Sequence, residues 1–335
     1  GNDLMFDENS LEQGRNFNNK MWNALKLVRM WHERRESSVV SREPGNGPAD
    51  STHHSPLNTN WFAIEWFENR LNKVRTEVDT LMKQFRLSEA LKTIYSLIWD
   101  DFCSWYLEWI KPAFAKATAD KPGFEHPIDA AVYNKTIGYF EELVQLLHPY
   151  MPFVTEEIYH LLKEQSDDLC VKQFAAVKTV DENMLAQGEL LKQVITAIRD
   201  GRNKNQLKPK EAIKLFIETA SGESYASILH ILSKQVNAEA VSFTGEAIPN
   251  TIVLTVEKDK FYIKTEKELD NATLKDDLLK DLLHQKGFLL SVEKKLSNEK
   301  FVQNAKPEVL ALEQKKKADA EARIKTIEES LSTIS

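Results

Sequence analysis

The stretch from Glu12 to Trp31 reads Glu-Gln-Gly-Arg-Asn-Phe-Asn-Asn-Lys-Met-Trp-Asn-Ala-Leu-Lys-Leu-Val-Arg-Met-Trp. Its apolar residues recur at steps of three and four, which is the period of one face of an α-helix. They are Phe17, Met21, Ala24, Leu25 and Val28. The stretch therefore predicts a helix that packs one face into a core and carries its polar side chains on the flanks.

The flanks of this predicted helix mix amide and basic side chains. Amides offer a donor and an acceptor to base edges, and Lys and Arg neutralise phosphates, so the mixture suits single-stranded RNA. The alternative is a solvated polar face, because polar residues are the rule on protein surfaces. The candidate RNA-contacting residues are Arg15, Asn19, Lys20, Asn23 and Lys26.

The rest of the chain shows three successive patterns. Long helical stripes up to about residue 180 predict an antiparallel helix bundle. Short β-branched runs within 181–265 predict a small α/β unit with four strands. Apolar residues at three-and-four spacing in 266–335 predict a C-terminal helical hairpin, an antiparallel coiled coil. The expected fold is therefore mainly α, with domains at 1–180, 181–265 and 266–335.

Local patterns give more detailed expectations. Pro149 and Pro152 predict a turn, after which Thr155 would be the N-cap of the next helix. The helix that follows residue 185 is expected to direct Arg199, Arg202 and Lys204 outward. The two cysteines, Cys103 and Cys170, have hydrophobic neighbours in the sequence, which is typical of reduced, buried thiols.

Charge is distributed unevenly along the chain. The net charge of −7 disfavours a polyanionic partner, since affinity for nucleic acids rests mostly on phosphate neutralisation. However, Glu12–Arg35 holds six basic and two acidic residues, and Lys286–Lys317 holds eight lysines and four glutamates. Each zone thus carries a local charge of +4, which favours contact with RNA at chosen places. For the second zone, a solvated lysine-rich helix remains the alternative.

Four segments resemble a known family in its own order. Gly1–Asp7 with Gly14–Ala24 comes first, followed by Leu97–Lys111, Leu147–Tyr159 and Glu293–Val309. They are similar to the C-terminal part of the valyl-tRNA synthetases, which are class I aminoacyl-tRNA synthetases. The last segment resembles the link within the coiled-coil arm that distinguishes this family from its isoleucyl and leucyl relatives.

This resemblance implies a function in recognising tRNA. The bundle would bind the anticodon of valine tRNA, and the arm would support the elbow where the D and T loops meet. The implied elbow contacts are Lys294, Lys295, Lys300 and Lys306. Two alternatives stay open: the anticodon-binding region of an isoleucyl- or leucyl-type synthetase, and a structural coiled-coil module that does not bind RNA.

The resemblance also bears on catalysis. Class I synthetases hold ATP with His-Ile-Gly-His and Lys-Met-Ser-Lys-Ser motifs, and neither string occurs here. We therefore expect a fragment, inactive alone, whose partners are the catalytic and editing domains of the same polypeptide, where ATP and Mg²⁺ would act. The first residue, Gly1 instead of Met, agrees with a fragment.

Other features lead to expected absences. The His53-His54 pair lacks a third ligand at metal spacing, so we expect no metal site and no cofactor within the fragment. No run approaches the roughly 18 apolar residues of a membrane span, and the start lacks a secretory signal. A cytoplasmic monomer without membrane contact is the expectation.

Overall fold

The computed structural model describes residues 8–40, 56–112, 128–162, 164, 167–265, 271–298, 301 and 307–333. It confirms the expected fold class, since the protein is mainly α with a small mixed four-stranded sheet. Its contacts form two compact units, Gly1–Gly188 and Glu189–Ser335. The three predicted domain ranges stay a prediction. Gly1–Asp7, His53-His54, Lys300 and Lys306 lie outside the described residues.

The described part of the first unit consists mainly of helices. They are α1 (Glu8–Val40), α2 (Pro56–Lys83), α3 (Leu87–Ser96), a π-helical segment (Leu97–Tyr106), α4 (Leu107–Ile110), α5 (Ala130–Leu147) and α6 (Pro152–Leu162). A short 3₁₀ turn, Leu169–Val171, follows α6. None of the described helices has the length and apolar character that crossing a bilayer requires.

Aromatic side chains fill the centre of this unit, as the helical stripes predict. The ring of Phe67 lies 4.9 Å from that of Tyr106, 5.2 Å from that of Tyr139 and 5.3 Å from that of Phe102. The hydroxyls of Tyr106 and Thr136 share a hydrogen bond of 2.8 Å. Because a buried hydroxyl without a partner is destabilising, this bond allows tyrosine in the core.

The π-helical segment Leu97–Tyr106 interrupts a rod that the sequence predicts to be a regular α-helix. The N–H of Leu107 donates to the carbonyl of Phe102, five residues earlier. The hydroxyl of Ser104 donates to the carbonyl of Trp99, again five residues earlier, at 2.8 Å. The backbone bond has the wider π register, which is rare and is often associated with functional positions.

The π-helical segment carries a carboxylate on the inner side of the rod. Asp101 is only 4% exposed, and its Oδ2 accepts a hydrogen bond of 2.7 Å from Nε of Arg70 on α2. A buried carboxylate needs such a charged partner. The ion pair therefore stabilises the contact between α2 and the π-helical segment.

The second unit contains the sheet, which runs in the order β2-β1-β4-β3. The α7 helix (Glu182–Lys204) precedes it in the chain. Its strands are β1 (Ile213–Glu218), β2 (Ala238–Phe243), β3 (Ile252–Val256) and β4 (Asp259–Lys264). The first two strands are parallel and are connected through α8 (Glu223–Ala226) and α9 (Leu229–Val236), whereas the other pairs are antiparallel. The four predicted strands are therefore confirmed.

The predicted orientation of one arginine is wrong. Arg202 is 4% exposed, and its guanidinium donates to three carbonyls, those of Val236, Lys208 and Glu211. Five fixed donors suit such a cluster of carbonyls, and burial lowers the pKa of this group. Helical spacing could not reveal the loops that cover this end of α7. Arg199 and Lys204 are exposed, as predicted.

The hairpin consists of α10 (Asn271–Leu296) and α11 (Pro307–Thr333), which pack against each other. Ion pairs link Lys286 to Glu328 at 2.7 Å and Glu293 to Lys317 at 2.9 Å, so the two helices are antiparallel. The predicted apolar stripe is confirmed for its described side chains, which are buried or half-buried: Leu282, Leu289, Val292, Leu296, Ile324, Ile327 and Leu331.

Two further expectations are wrong. Thr155 is not an N-cap, because α6 begins at Pro152 and the Thr155 hydroxyl donates to the carbonyl of Met151 at 2.8 Å. The same hydroxyl meets Nδ1 of His148 at 2.8 Å. Cys170 is exposed and not buried, since the short turn that carries it places Leu169 inward instead.

Candidate nucleic-acid interface

Four of the five candidate residues on α1 lie on one exposed side of the helix, which we call the outer face: Arg15, Asn19, Asn23 and Lys26. Their steps of four, four and three keep them aligned. The buried residues of the same helix, among them Phe17 and Val28, hold the opposite side in the core. The outer face thus presents two amides and two cations to solvent on a rigid support.

The cations of the outer face differ in their availability. Arg15 pairs with Glu12 at 3.2 Å, but both side chains are mostly exposed, so this bond is weak and easily exchanged. Lys26 is exposed and has no carboxylate partner among the described residues. Arg29, three residues further along, shares both properties. It was missed as an individual candidate, although its spacing from Lys26 could have indicated it.

Lys20 lies in a different environment from the outer face. It is half-buried, and its ammonium donates to Oγ of Ser104 at 2.8 Å. The same ammonium lies 4.2 Å from the centroid of the Trp99 ring. The structure therefore does not bring the five candidates together, because Lys20 already has partners on the π-helical segment.

The Trp99 ring beside this lysine belongs to an aromatic stack. The ring of Tyr95 lies 4.7 Å from that of Phe17 and 5.6 Å from that of Trp99, with the Tyr95 and Trp99 planes only 9° apart. Such offset stacks add to the stabilisation from burial alone. Beside the stack, burial raises the pKa of the Cys103 thiol to about 12, and the Lys20 charge offsets this rise only in part. This region thus attaches α1 firmly to its neighbour.

The hairpin carries the other predicted site, of which Lys294 and Lys295 are described. Both are exposed in the last turn of α10. Nζ of Lys295 lies 3.9 Å from Oε2 of Glu313, whereas Lys294 has no carboxylate partner among the described residues. Lys315 on α11 is exposed and likewise unpaired within that set. It is a second candidate cation, which sequence reasoning counted only within the basic zone.

Comparison with known proteins shows which family this chain is similar to. Residues 65–217 match the family described as the anticodon-binding domain of tRNA ligase. The chain is 35% identical over 336 residues to the valine–tRNA ligase of Parabacteroides distasonis and 39% identical over 338 residues to that of Porphyromonas gingivalis. Both alignments cover 100% of this chain and 35% of the relative. The chain is a relative of the valine–tRNA ligases. The predicted resemblance is thereby confirmed.

The similarity to the valine–tRNA ligases extends to a more distant bacterium. The enzyme of Aquifex aeolicus is 30% identical over 353 residues, covering 100% of this chain and 28% of the relative. The chain thus spans about a third of the length of the curated relatives that it matches. The match to the anticodon-binding family begins within α2, so the outer face of α1 precedes it.

Proposed function

We propose that this chain is the tRNA-recognition part of a valine–tRNA ligase. The bundle binds the anticodon of valine tRNA, and the hairpin contacts the tRNA elbow. Attachment of valine, with ATP and Mg²⁺, takes place on a catalytic domain, which lies with the editing domain in the same polypeptide outside this chain. The proposal includes a cytoplasmic monomer. Its support is the similarity along the whole chain, together with the anticodon-binding family match.

The observation that carries the proposal for the bundle is the exposed row of amides and cations on the outer face of α1. Anticodon bases are unstacked in a single-stranded loop, so their edges are open to hydrogen bonding. Asn19 and Asn23 supply the donors and acceptors for base edges, and Lys26 with Arg29 neutralises the adjacent phosphates. Arg15 joins them by exchanging its weak pair with Glu12 for a phosphate.

Lys20 contributes to this site as a positioning residue. Its contacts with Ser104 and Trp99 fix the rotation of α1 relative to the π-helical segment. Since residues on one helix turn together, fixing that rotation also fixes the direction of Asn19 and Asn23. Lys20 therefore supports recognition through α1 and not through a base of its own.

The hairpin supplies contacts that do not depend on the anticodon. Lys294, Lys295 and Lys315 are exposed near the end of α10 and the adjoining part of α11. Phosphate contacts of this kind fix position and register on the RNA but carry no direct sequence information. We include Lys300 and Lys306, which the resemblance implies, in the same set.

The test is direct binding of the 335-residue chain to a valine tRNA transcript and to the same transcript with an exchanged anticodon, at low and high salt. The proposal predicts tighter binding of the valine anticodon and weaker binding of both transcripts as salt rises. Binding that depends on salt but not on the anticodon would overturn the assignment of the bundle.

A structural coiled-coil module is the second candidate function. The cross-helix pairs Lys286–Glu328 and Lys317–Glu293 favour it, because they use lysines of the basic zone to hold the hairpin together. The same experiment separates the two candidates. Absence of binding to either transcript at low salt would support the structural module.

A further inference from the structure

A mixed group of metal-ligating side chains lies outside the proposed interface. Glu156 and His160 are one turn apart on α6, and Asp168 lies in the segment that follows this helix. Nε2 of His160 is 3.2 Å from Oε1 of Glu156 and 3.4 Å from Oδ1 of Asp168. The three ligand atoms all lie within 4.8 Å of one another.

The two separations from Nε2 of His160, 3.2 Å and 3.4 Å, are close to the edges of a zinc coordination sphere. With bonds of about 2.0 to 2.2 Å in a tetrahedron, neighbouring ligand atoms are roughly 3.3 to 3.6 Å apart. An imidazole with two carboxylates suits Zn²⁺, whereas Mg²⁺ and Ca²⁺ prefer oxygen ligands throughout. The donor set and its spacing therefore point to a first-row transition metal ion.

A hydrogen bond from the backbone holds one of the two carboxylates in place. The backbone N–H of Leu169 donates to Oε1 of Glu156 at 2.7 Å, and the buried Leu169 side chain anchors the turn that carries this N–H. Such outer contacts orient the ligands of metal sites and raise metal affinity.

The group is also accessible from solvent. The side chains of Glu156, His160 and Asp168 are 27%, 40% and 71% exposed, so an ion can enter without rearrangement of the fold. The same distances would suit a protonated imidazole between two carboxylates, which is the competing explanation. The two explanations differ in whether a metal ion competes successfully for these three groups.

We propose that Glu156, His160 and Asp168 bind one Zn²⁺ ion, with water completing its coordination, and that the ion joins α6 to the 167–171 segment. This site differs from the sequence-based expectation of no metal. The Glu-x-x-x-His spacing on α6 was its one sequence signal, but the third ligand lies eight residues beyond His160, in a turn whose position helical periodicity does not predict.

The experiment is titration of the metal-stripped 335-residue chain with ZnCl₂ in a non-coordinating buffer. Calorimetry measures zinc binding, and thermal denaturation measures the melting temperature with and without zinc. The proposal predicts one saturable zinc per chain and a higher melting temperature with zinc. His160→Gln and Asp168→Asn should each weaken zinc binding more than about tenfold. They should also lose most of the rise in melting temperature, because metal bound only to the folded state stabilises that state.

Two matched variants serve as controls. Glu157→Gln removes an exposed carboxylate adjacent to Glu156, and Cys170→Ser removes the exposed thiol near Asp168; both should bind zinc as the unaltered chain does. Circular dichroism without zinc checks that each variant is folded. If His160→Gln does not fold, the test rests on Asp168→Asn, whose side chain is exposed. Absence of saturable binding, unchanged binding by both ligand variants, or equal loss in a control would overturn the proposal.

Discussion

The ammonium of Lys20 lies 4.2 Å from the centroid of the Trp99 ring, so a cation from α1 covers an aromatic ring of the π-helical segment. Ser104, whose hydroxyl accepts a hydrogen bond from the same ammonium, donates in turn to the Trp99 carbonyl. This small network joins Lys20 to residues that lie 79 and 84 positions later in the chain. Lys20, which the sequence predicts to contact RNA, therefore stabilises the bundle.

Replacing Lys20 should therefore affect stability. Lys20→Met keeps the aliphatic stem but loses the cation–π contact and the hydrogen bond, and we expect a loss of about 1 kcal/mol in the free energy of unfolding. Urea denaturation measures this change. Lys92→Met, at an exposed position of α3, is the control and should change stability little. Equal stability of the two variants would contradict the role of the network.

Two helical glycines should respond oppositely to alanine. A Cβ at Gly188 would lie 2.1 Å from the ring of Trp66, which is 1% exposed, whereas a Cβ at Gly138 meets nothing within 4 Å. We expect Gly188→Ala to destabilise by about 1–3 kcal/mol through overpacking, and Gly138→Ala to stabilise by roughly 0.5–1 kcal/mol through helix propensity. Thermal melts of the two variants check this. The same sign of change in both would contradict the packing.

The two cysteines should differ in reactivity. Burial raises the pKa of Cys103 to about 12, so almost no thiolate forms there at neutral pH, whereas Cys170 is exposed. A thiol reagent at about pH 8 should label one thiol rapidly in the native chain and two after unfolding. Cys170→Ser should remove the rapid phase. Rapid labelling of Cys103 in that variant would show that the π-helical segment opens.

The hairpin lysines without a carboxylate partner should contribute more to tRNA binding than those already in ion pairs. If Lys294 and Lys315 contact phosphates, Lys294→Ala with Lys315→Ala should weaken binding of the native and exchanged-anticodon tRNAs equally. The salt slope of binding should fall by about 0.7–0.9 for each lost contact. Lys286→Ala, which removes a lysine already paired with Glu328, is the matched control and should change the slope less. An unchanged slope in the double variant would contradict the elbow contact.

Periodicity was enough to predict most of the fold, because core residues recur at the period of their helix or strand. Phe17, Met21 and Val28 of α1 are buried as expected, and so are Ile213 and Leu215 of β1. Periodicity describes one element at a time, however. It could not predict features that arise between elements, such as the ion pair between Asp101 of the π-helical segment and Arg70 of α2.

The candidate site shows the same limit. Helical spacing correctly placed Asn19, Asn23 and Lys26 on an exposed side of α1. It could not show that Lys20, at the border of that side, would reach Trp99 nearly eighty residues later. Arg202 is a further example, because its carbonyl partners belong to the end of α9 and to the loop after α7, which surround it only in the folded chain.

If the outer face of α1 recognises the anticodon, the double variant Asn23→Ala with Lys26→Ala should lose that recognition. The measurement is the ratio of affinities for valine tRNA and for the same tRNA with an exchanged anticodon. Asn134→Ala with Lys92→Ala, an exposed pair of the same residue types on other helices, is the control.

We expect the double variant to lose about tenfold or more in affinity for valine tRNA, since a good base contact contributes roughly 1–3 kcal/mol. Its affinity ratio should approach one, while its helix content and the ratio of the control stay unchanged. An unchanged ratio in a folded double variant would contradict the account, because anticodon recognition would then lie elsewhere on the chain.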